Sequence, residues 1–182
     1  MYTLLLVDDE EDVIEVIERK VSWEQIGFHV VGHAGNGFKA LEMMEDMQPD
    51  VVMTDIRMPY MDGLELCSNI RQRFPATKLL LFTGFDDFEY AKEAVHLEIE
   101  EYILKPLNLA EITEVFKKLK TKLDDELNEK KNTDILKQYY AASLPVLQSN
   151  FYTTLIEGRI PENELGRYMR DYKIVLEGPY YC

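Results

Sequence analysis

The 182-residue chain carries 34 Asp and Glu against 20 Lys and Arg, a formal net charge of −14. That length suits one ordinary domain with an appendage or two small domains, and a 46% hydrophobic content with 11% aromatic residues excludes a disordered acidic chain. The charge disfavours a grip on nucleic acid or on an anionic membrane, and does not exclude a cation.

Short apolar runs alternate with longer stretches of helical period. The runs are Thr3–Val7, His29–His33, Asp50–Thr54, Lys78–Thr83 and Glu101–Leu104. They are rich in Leu, Val and Ile without strict alternation, as expected of strands covered on both faces. Amphipathic stretches lie between them, over roughly Glu11–Lys20, Gly37–Met47, Leu64–Phe74, Asp87–His96 and from Leu109 onward, with Pro49, Gly63 and Pro75 at boundaries. Five strands alternating with helices predict an α/β fold with a doubly wound parallel sheet over about residues 1–120.

The last helix outruns the domain. Ile112, Phe116, Leu119, Leu123 and Leu127 step by four, three, four and four, a coiled-coil-like spacing that predicts a dimer-forming helical stalk in preference to a helix packed on its own domain. The polar stretch Asn128–Asp134 follows, and then Leu136, Tyr140, Leu144, Leu147 and Phe151 resume the stripe. After Gly158, Pro161 and Asn163 open a short helical piece, and Tyr172–Leu176 reads as a strand. The domains expected are therefore 1–123, a helical linker over 124–158, and the start of a truncated second domain over 159–182. Cys67 and Cys182 make no disulfide framework and no zinc cluster, no basic leader precedes the first strand, and no run approaches the ~20 apolar residues of a membrane span. A cytoplasmic location is the expectation.

The acid is unevenly placed: residues 1–60 hold thirteen Asp and Glu and four Lys and Arg, a balance of −9. Strand one ends in the acidic run Asp8-Asp9-Glu10-Glu11-Asp12, and strand three in Thr54-Asp55-Ile56-Arg57-Met58-Pro59. Open parallel sheets form sites at the carboxyl ends of strands, where strand order reverses. If strands one and three are neighbours, Asp8, Asp9 and Asp55 converge, and a hard divalent cation such as magnesium relieves their repulsion. Strand four brings the Thr83 hydroxyl to the same rim, and strand five brings Lys105. An Asp with a metal, a hydroxyl and an ammonium can accept a phosphoryl group as an acyl phosphate. Taken singly, each feature has an ordinary explanation, such as an exposed loop, a β-forming Thr or a capped turn; four at strand ends do not.

These motifs resemble the receiver domain of bacterial two-component response regulators: Leu6-Val7-Asp8-Asp9-Glu10, Asp55 through Gly63, Thr83-Gly84, and Tyr102-Ile103-Leu104-Lys105-Pro106. The resemblance spans about Met1–Leu123 and implies a flavodoxin-like sheet of order 2-1-3-4-5. It implies Asp55 as phosphoacceptor with a sensor histidine kinase as donor. It also implies Mg2+ (or Mn2+) held by Asp9, Asp55 and the Arg57 carbonyl, with Asp8 acting through water. Lys105 would pair with the phosphoryl group, ahead of a cis bond to Pro106. Thr83 and Tyr102 would form a switch pair, remodelling the face of the fourth helix, fifth strand and fifth helix and favouring a homodimer. Gly84 through Ala94 resembles the YesN-like subfamily, whose members add a linker and an AraC-type helix-turn-helix domain. The tail Leu144 through Gly158 is similar to that linker. DNA would then be bound only by a domain absent from this chain.

Other readings remain open here: a stand-alone receiver, an unphosphorylated interaction module, or a magnesium-dependent aspartyl-phosphate phosphatase. The phosphatase wants a second Asp two residues after its nucleophile, where this chain has Arg57. A flavodoxin's phosphate loop would be repelled by Asp8–Asp12.

Overall fold

The computed structural model describes residues 1–83, 97–106 and 108–175, with the Thr83 side chain excepted. Strands β1 (Tyr2–Val7), β2 (Phe28–Ala34), β3 (Val51–Asp55), β4 (Lys78–Thr83) and β5 (Glu101–Leu104) form one sheet in the order β2-β1-β3-β4-β5. Every pair is parallel, and β1 lies against β3 with Val7 opposite Thr54. The expected order therefore holds, and the reversal falls between β1 and β3.

The described helices are α1 (Glu11–Lys20), α2 (Trp23–Ile26), α3 (Gly37–Met47), α4 (Gly63–Arg73), α5 (Leu109–Ile156) and α6 (Glu162–Asp171). Local chemistry sets their ends. Glu11 and Asp12 start α1 and Arg19 and Lys20 finish it, each matching the helix dipole. Asn36 accepts a hydrogen bond from the Lys39 amide to cap α3, and Asp62 accepts one from the Glu65 amide to cap α4. The single turn α2 escaped the periodicity, being too short to show one; Gly27, at φ +88°, ends it in the left-handed region. The expected helix over Asp87–His96 lies outside the described residues.

Successive residues of β1 feed opposite cores. Leu4 and Leu6 pack with Ile14 and Ile17 of α1 and with Ile112, Phe116, Leu119 and Leu123 of α5. Leu5 and Val7 pack with Ala40 and Met44 of α3 and with Leu66, Cys67 and Ile70 of α4. Phe116 meets Trp23 and Phe28 edge-on, at centroid distances of 4.7 and 5.0 Å.

Two expectations fail beyond this core. The stripe from Ile112 to Leu123 is not a dimer seam, because the sheet's own face needs covering and these side chains cover it. Residues Tyr172–Val175 form a turn and irregular chain, not a strand, with Lys173 at φ +52° and no neighbouring edge to pair with among the described residues. Leu176 lies outside them, as does the end of the chain through Cys182.

Helix α5 runs unbroken through Asn128–Asp134, where Glu and Lys are good helix formers without an apolar face. Met1–Asp124 and Asp125–Cys182 are two compact units. In the second, α6 and the turn after it cover one face of α5: Tyr140 donates a hydrogen bond to the Asp171 carbonyl, Gln148 donates to the Tyr172 carbonyl at 2.9 Å, and Phe151 packs edge-on against Tyr172. No helix among the described residues is long and apolar enough to cross a membrane.

Candidate functional site

The carboxyl ends of β1, β3 and β5 bring four of the expected side chains together. Carboxylate oxygens of Asp8, Asp9 and Asp55 lie within 4.8 Å of one another. Lys105 Nζ stands 3.1 Å from Asp55 Oδ2, 3.4 Å from Asp8 Oδ2 and 3.7 Å from Glu10 Oε1. Asp8 is fully buried and Asp55 nearly so, while Asp9 is exposed, making a pocket with a deep floor and an open lip.

Each buried carboxylate is held at both ends. The Glu10 amide donates to Asp8 Oδ1 at 2.8 Å, and the Ile56 amide donates to Asp55 Oδ1 at 2.8 Å, leaving the Oδ2 atoms to Lys105. Lys105 also lies over the Phe82 ring, 5.1 Å from its centroid, which steers the ammonium without competing for it. Leu104 precedes it on β5, and the Lys105–Pro106 bond is cis.

Burial pushes the Asp8 carboxyl up to about 6, against the lowering pulls of the Glu10 amide and Lys105. Burial likewise raises Asp55, with Lys105 opposing it. For Lys105 burial acts in the lowering sense, but the hydrogen bond to Asp55 and the charges of Asp55, Asp8 and Glu10 outweigh it and raise the ammonium. The pocket therefore holds more negative charge than one lysine neutralises. An all-oxygen donor set with this excess fits a hard divalent cation.

The remaining residues divide. Arg57 is exposed just after Ile56, beyond the end of β3. Tyr102 is half-buried on β5; its hydroxyl is buried without a hydrogen-bond partner among the described residues, and burial raises its pKa. Thr83 ends β4, but its side chain lies outside the described residues. Glu11 and Asp12 belong to the first turn of α1 and not to the carboxylate cluster. Sequence reasoning missed two contributors. Phe82 carried no signal beyond that of an apolar strand residue. Gly63 marked a turn, but its closeness to Asp55 was not legible: a Cβ there would sit 2.0 Å from the Asp55 carbonyl oxygen. The Gly63 amide donates to the Ile56 carbonyl at 2.8 Å, so α4 starts against the backbone that follows β3.

Residues 4–117 match the response regulator receiver domain. The chain belongs to this family. Among relatives of this receiver, the uncharacterized transcriptional regulatory protein YesN of Bacillus subtilis is 37% identical over 137 residues, covering 75% of this chain and 37% of that protein. The transcriptional regulatory protein HptR of Staphylococcus aureus is 26% identical over 164 residues, covering 90% of this chain and 64% of that protein. The chain thus spans less than two thirds of the length of either. The REC domain of AraT, a response regulator from Geobacillus stearothermophilus, superposes with a TM-score of 0.66 at 36% identity, over 69% of this chain and 98% of that one. The five-stranded parallel sheet of the receiver is the fold these proteins share.

Proposed function

We propose that Asp55 is the phosphoacceptor of this receiver and that a sensor histidine kinase is the donor. The observation that carries it is the Lys105 ammonium 3.1 Å from Asp55 Oδ2, inside a cluster that also holds Asp8 and Asp9. An Asp55 oxygen attacks phosphorus, forming the O–P bond. The P–N bond to the donor imidazole breaks, its electron pair staying on nitrogen, which takes up a proton. The two amide-anchored carboxylates are already oriented, so little reorganisation accompanies attack. Lys105 stabilises charge growing on the transferred oxygens. Asp9, Asp55 and the Arg57 carbonyl would hold magnesium or manganese, with Asp8 reaching it through water. When bound, the ion supplies the positive charge that phosphoryl oxygens need.

Thr83 and Tyr102 serve as the switch: the hydroxyl turns toward the phosphoryl group and the Tyr102 ring, whose buried hydroxyl has no hydrogen-bond partner among the described residues, resettles. The output is transcriptional, as the names of YesN and HptR suggest, with residues 124–158 as the helical linker to a DNA-binding domain beyond this chain. The receiver acts on no substrate other than its own phosphoryl group.

Incubation with a small phosphodonor and magnesium is expected to add one phosphoryl group by intact-mass spectrometry, and Asp55→Asn to abolish it. Labelling that survives Asp55→Asn would overturn the assignment. Chelation of the divalent ion is expected to suppress labelling of the unaltered chain.

A further inference from the structure

Lys105 reaches Asp55 across an intervening strand. Asp55 on β3 lies opposite Phe82 on β4, and Phe82 opposite Ile103 on β5. Met53, Phe82 and Ile103 share the sheet face that α1 and α5 cover, and alternation carries Asp55, and Lys105 just past β5, onto the same face. Strands β3 and β5 stand two strand spacings apart, roughly 10 Å, so the arm that ends 3.1 Å from Asp55 Oδ2 has to pass over β4. What it passes over is Phe82, whose ring centroid is 5.1 Å from the ammonium.

We propose that Phe82 is a positioning residue for phosphoryl transfer: the face of its ring seats the Lys105 ammonium beside Asp55 by electrostatic attraction, a role that rests on the reading of Asp55 as acceptor. The ring is 1% exposed, so water does not screen the attraction. The ammonium needs such a seat because three carboxylates compete for it. Asp55, Asp8 and Glu10 stand at 3.1, 3.4 and 3.7 Å, and Glu10 is exposed at the lip of the pocket. A fixed quadrupole adds a pull that favours one position among the three. That pull also outlasts the reaction: phosphorylation turns the Asp55 carboxylate into an acyl phosphate, which changes the partner of Lys105 on that side and leaves the ring as it was. Any apolar residue at this register would fill the core, but only an aromatic one offers a negative face, and Phe82 is the one aromatic residue of β4.

The test weakens the attraction while keeping the shape of the ring. Phenylalanine carrying one, two or three fluorines is placed at position 82 alone in the full chain; each fluorine drains charge from the ring face. The rate of Asp55 phosphorylation by acetyl phosphate with magnesium, followed by intact mass, is expected to fall at each step, by roughly fivefold over the series. Phe82→Leu is expected to lose at least as much. The same series at Phe116, which meets Trp23 and Phe28 edge-on in the same core, is expected to leave the rate unchanged. Without any phosphodonor, the ring is expected to shift the Lys105 side-chain methylene protons upfield in NMR spectra, and Phe82→Leu to remove that shift. A rate indifferent to fluorination at Phe82, or one that falls as far when Phe116 is fluorinated, would overturn the proposal. Lys105 methylene signals that Phe82→Leu leaves in place would do the same. Labelling that survives Asp55→Asn overturns the acceptor reading instead, and the NMR shift still reports the seat, so the two failures are distinguishable.

Discussion

At the scale of single residues, the pocket is a place where folding tolerates unfavourable charge. The carboxyl of Asp8, at about 6 in the folded chain against an ordinary 3.8, binds its proton more tightly folded than unfolded. Its ionisation therefore costs stability as pH rises from about 4 through 6, and the loss is complete above that window. Asp8→Asn is expected to stabilise the chain by about 2–3 kcal/mol at pH 7.5 in chelator, falling toward nothing at pH 4. Urea unfolding at the two pH values measures it, and an equal gain at both would mean a cause other than charge. Gly63→Ala acts by contact. A methyl group 2.0 Å from the Asp55 carbonyl oxygen cannot be accommodated without moving β3 or α4. A loss of about 3 kcal/mol or more is expected in the same assay, with slower phosphorylation.

Between elements, charge fastens the far end of the sheet. Glu100, just before β5, meets Lys78 of β4 at 3.3 Å and Lys122 of α5 at 2.5 Å. Burial alone would raise its carboxyl, but the hydrogen bond from Lys122 and the charge of Lys78 outweigh burial and lower it below the usual carboxylate range. A lowered folded value means the contribution is present above about pH 4.5 and disappears as pH falls through that lowered value. Glu100→Gln is expected to destabilise by about 1 kcal/mol at pH 7 and by nothing measurable near pH 3, read from Tm at each pH. Local chemistry had announced much of this scale. Gly63 at a helix start and the Leu- and Val-rich runs are short-range signals, and they lie where structure was expected. The turn α2 and the irregular Tyr172–Val175 were not announced, since one turn is too short to show a period and an apolar run becomes a strand only beside a free edge.

Over the whole molecule, both cores draw all their described residues from the first 123 positions. A fragment of residues 1–124 is therefore expected to unfold cooperatively within about 1 kcal/mol of the corresponding transition of the full chain, and to be phosphorylated as fast. Calorimetry and intact mass check the two halves of that statement. A fragment without a cooperative transition would show that the second unit contributes to the first.

The sequence by itself determined the five strands of the sheet and the chemical character of their ends, because periodicity and residue type are local properties of the chain. Acid at the ends of β1 and β3 and ammonium after β5 were readable as groups meeting at one rim before any distance was known. Tertiary structure decided what depends on which surfaces meet. It placed Lys105 against Asp55 across 50 residues, pressed Gly63 onto the Asp55 backbone, and assigned the stripe from Ile112 to Leu123 to the core. The same assembly left Ile135, Tyr139 and Val146 uncovered. An apolar spacing states that a face must be buried; only the folded chain states whether it buries that face itself.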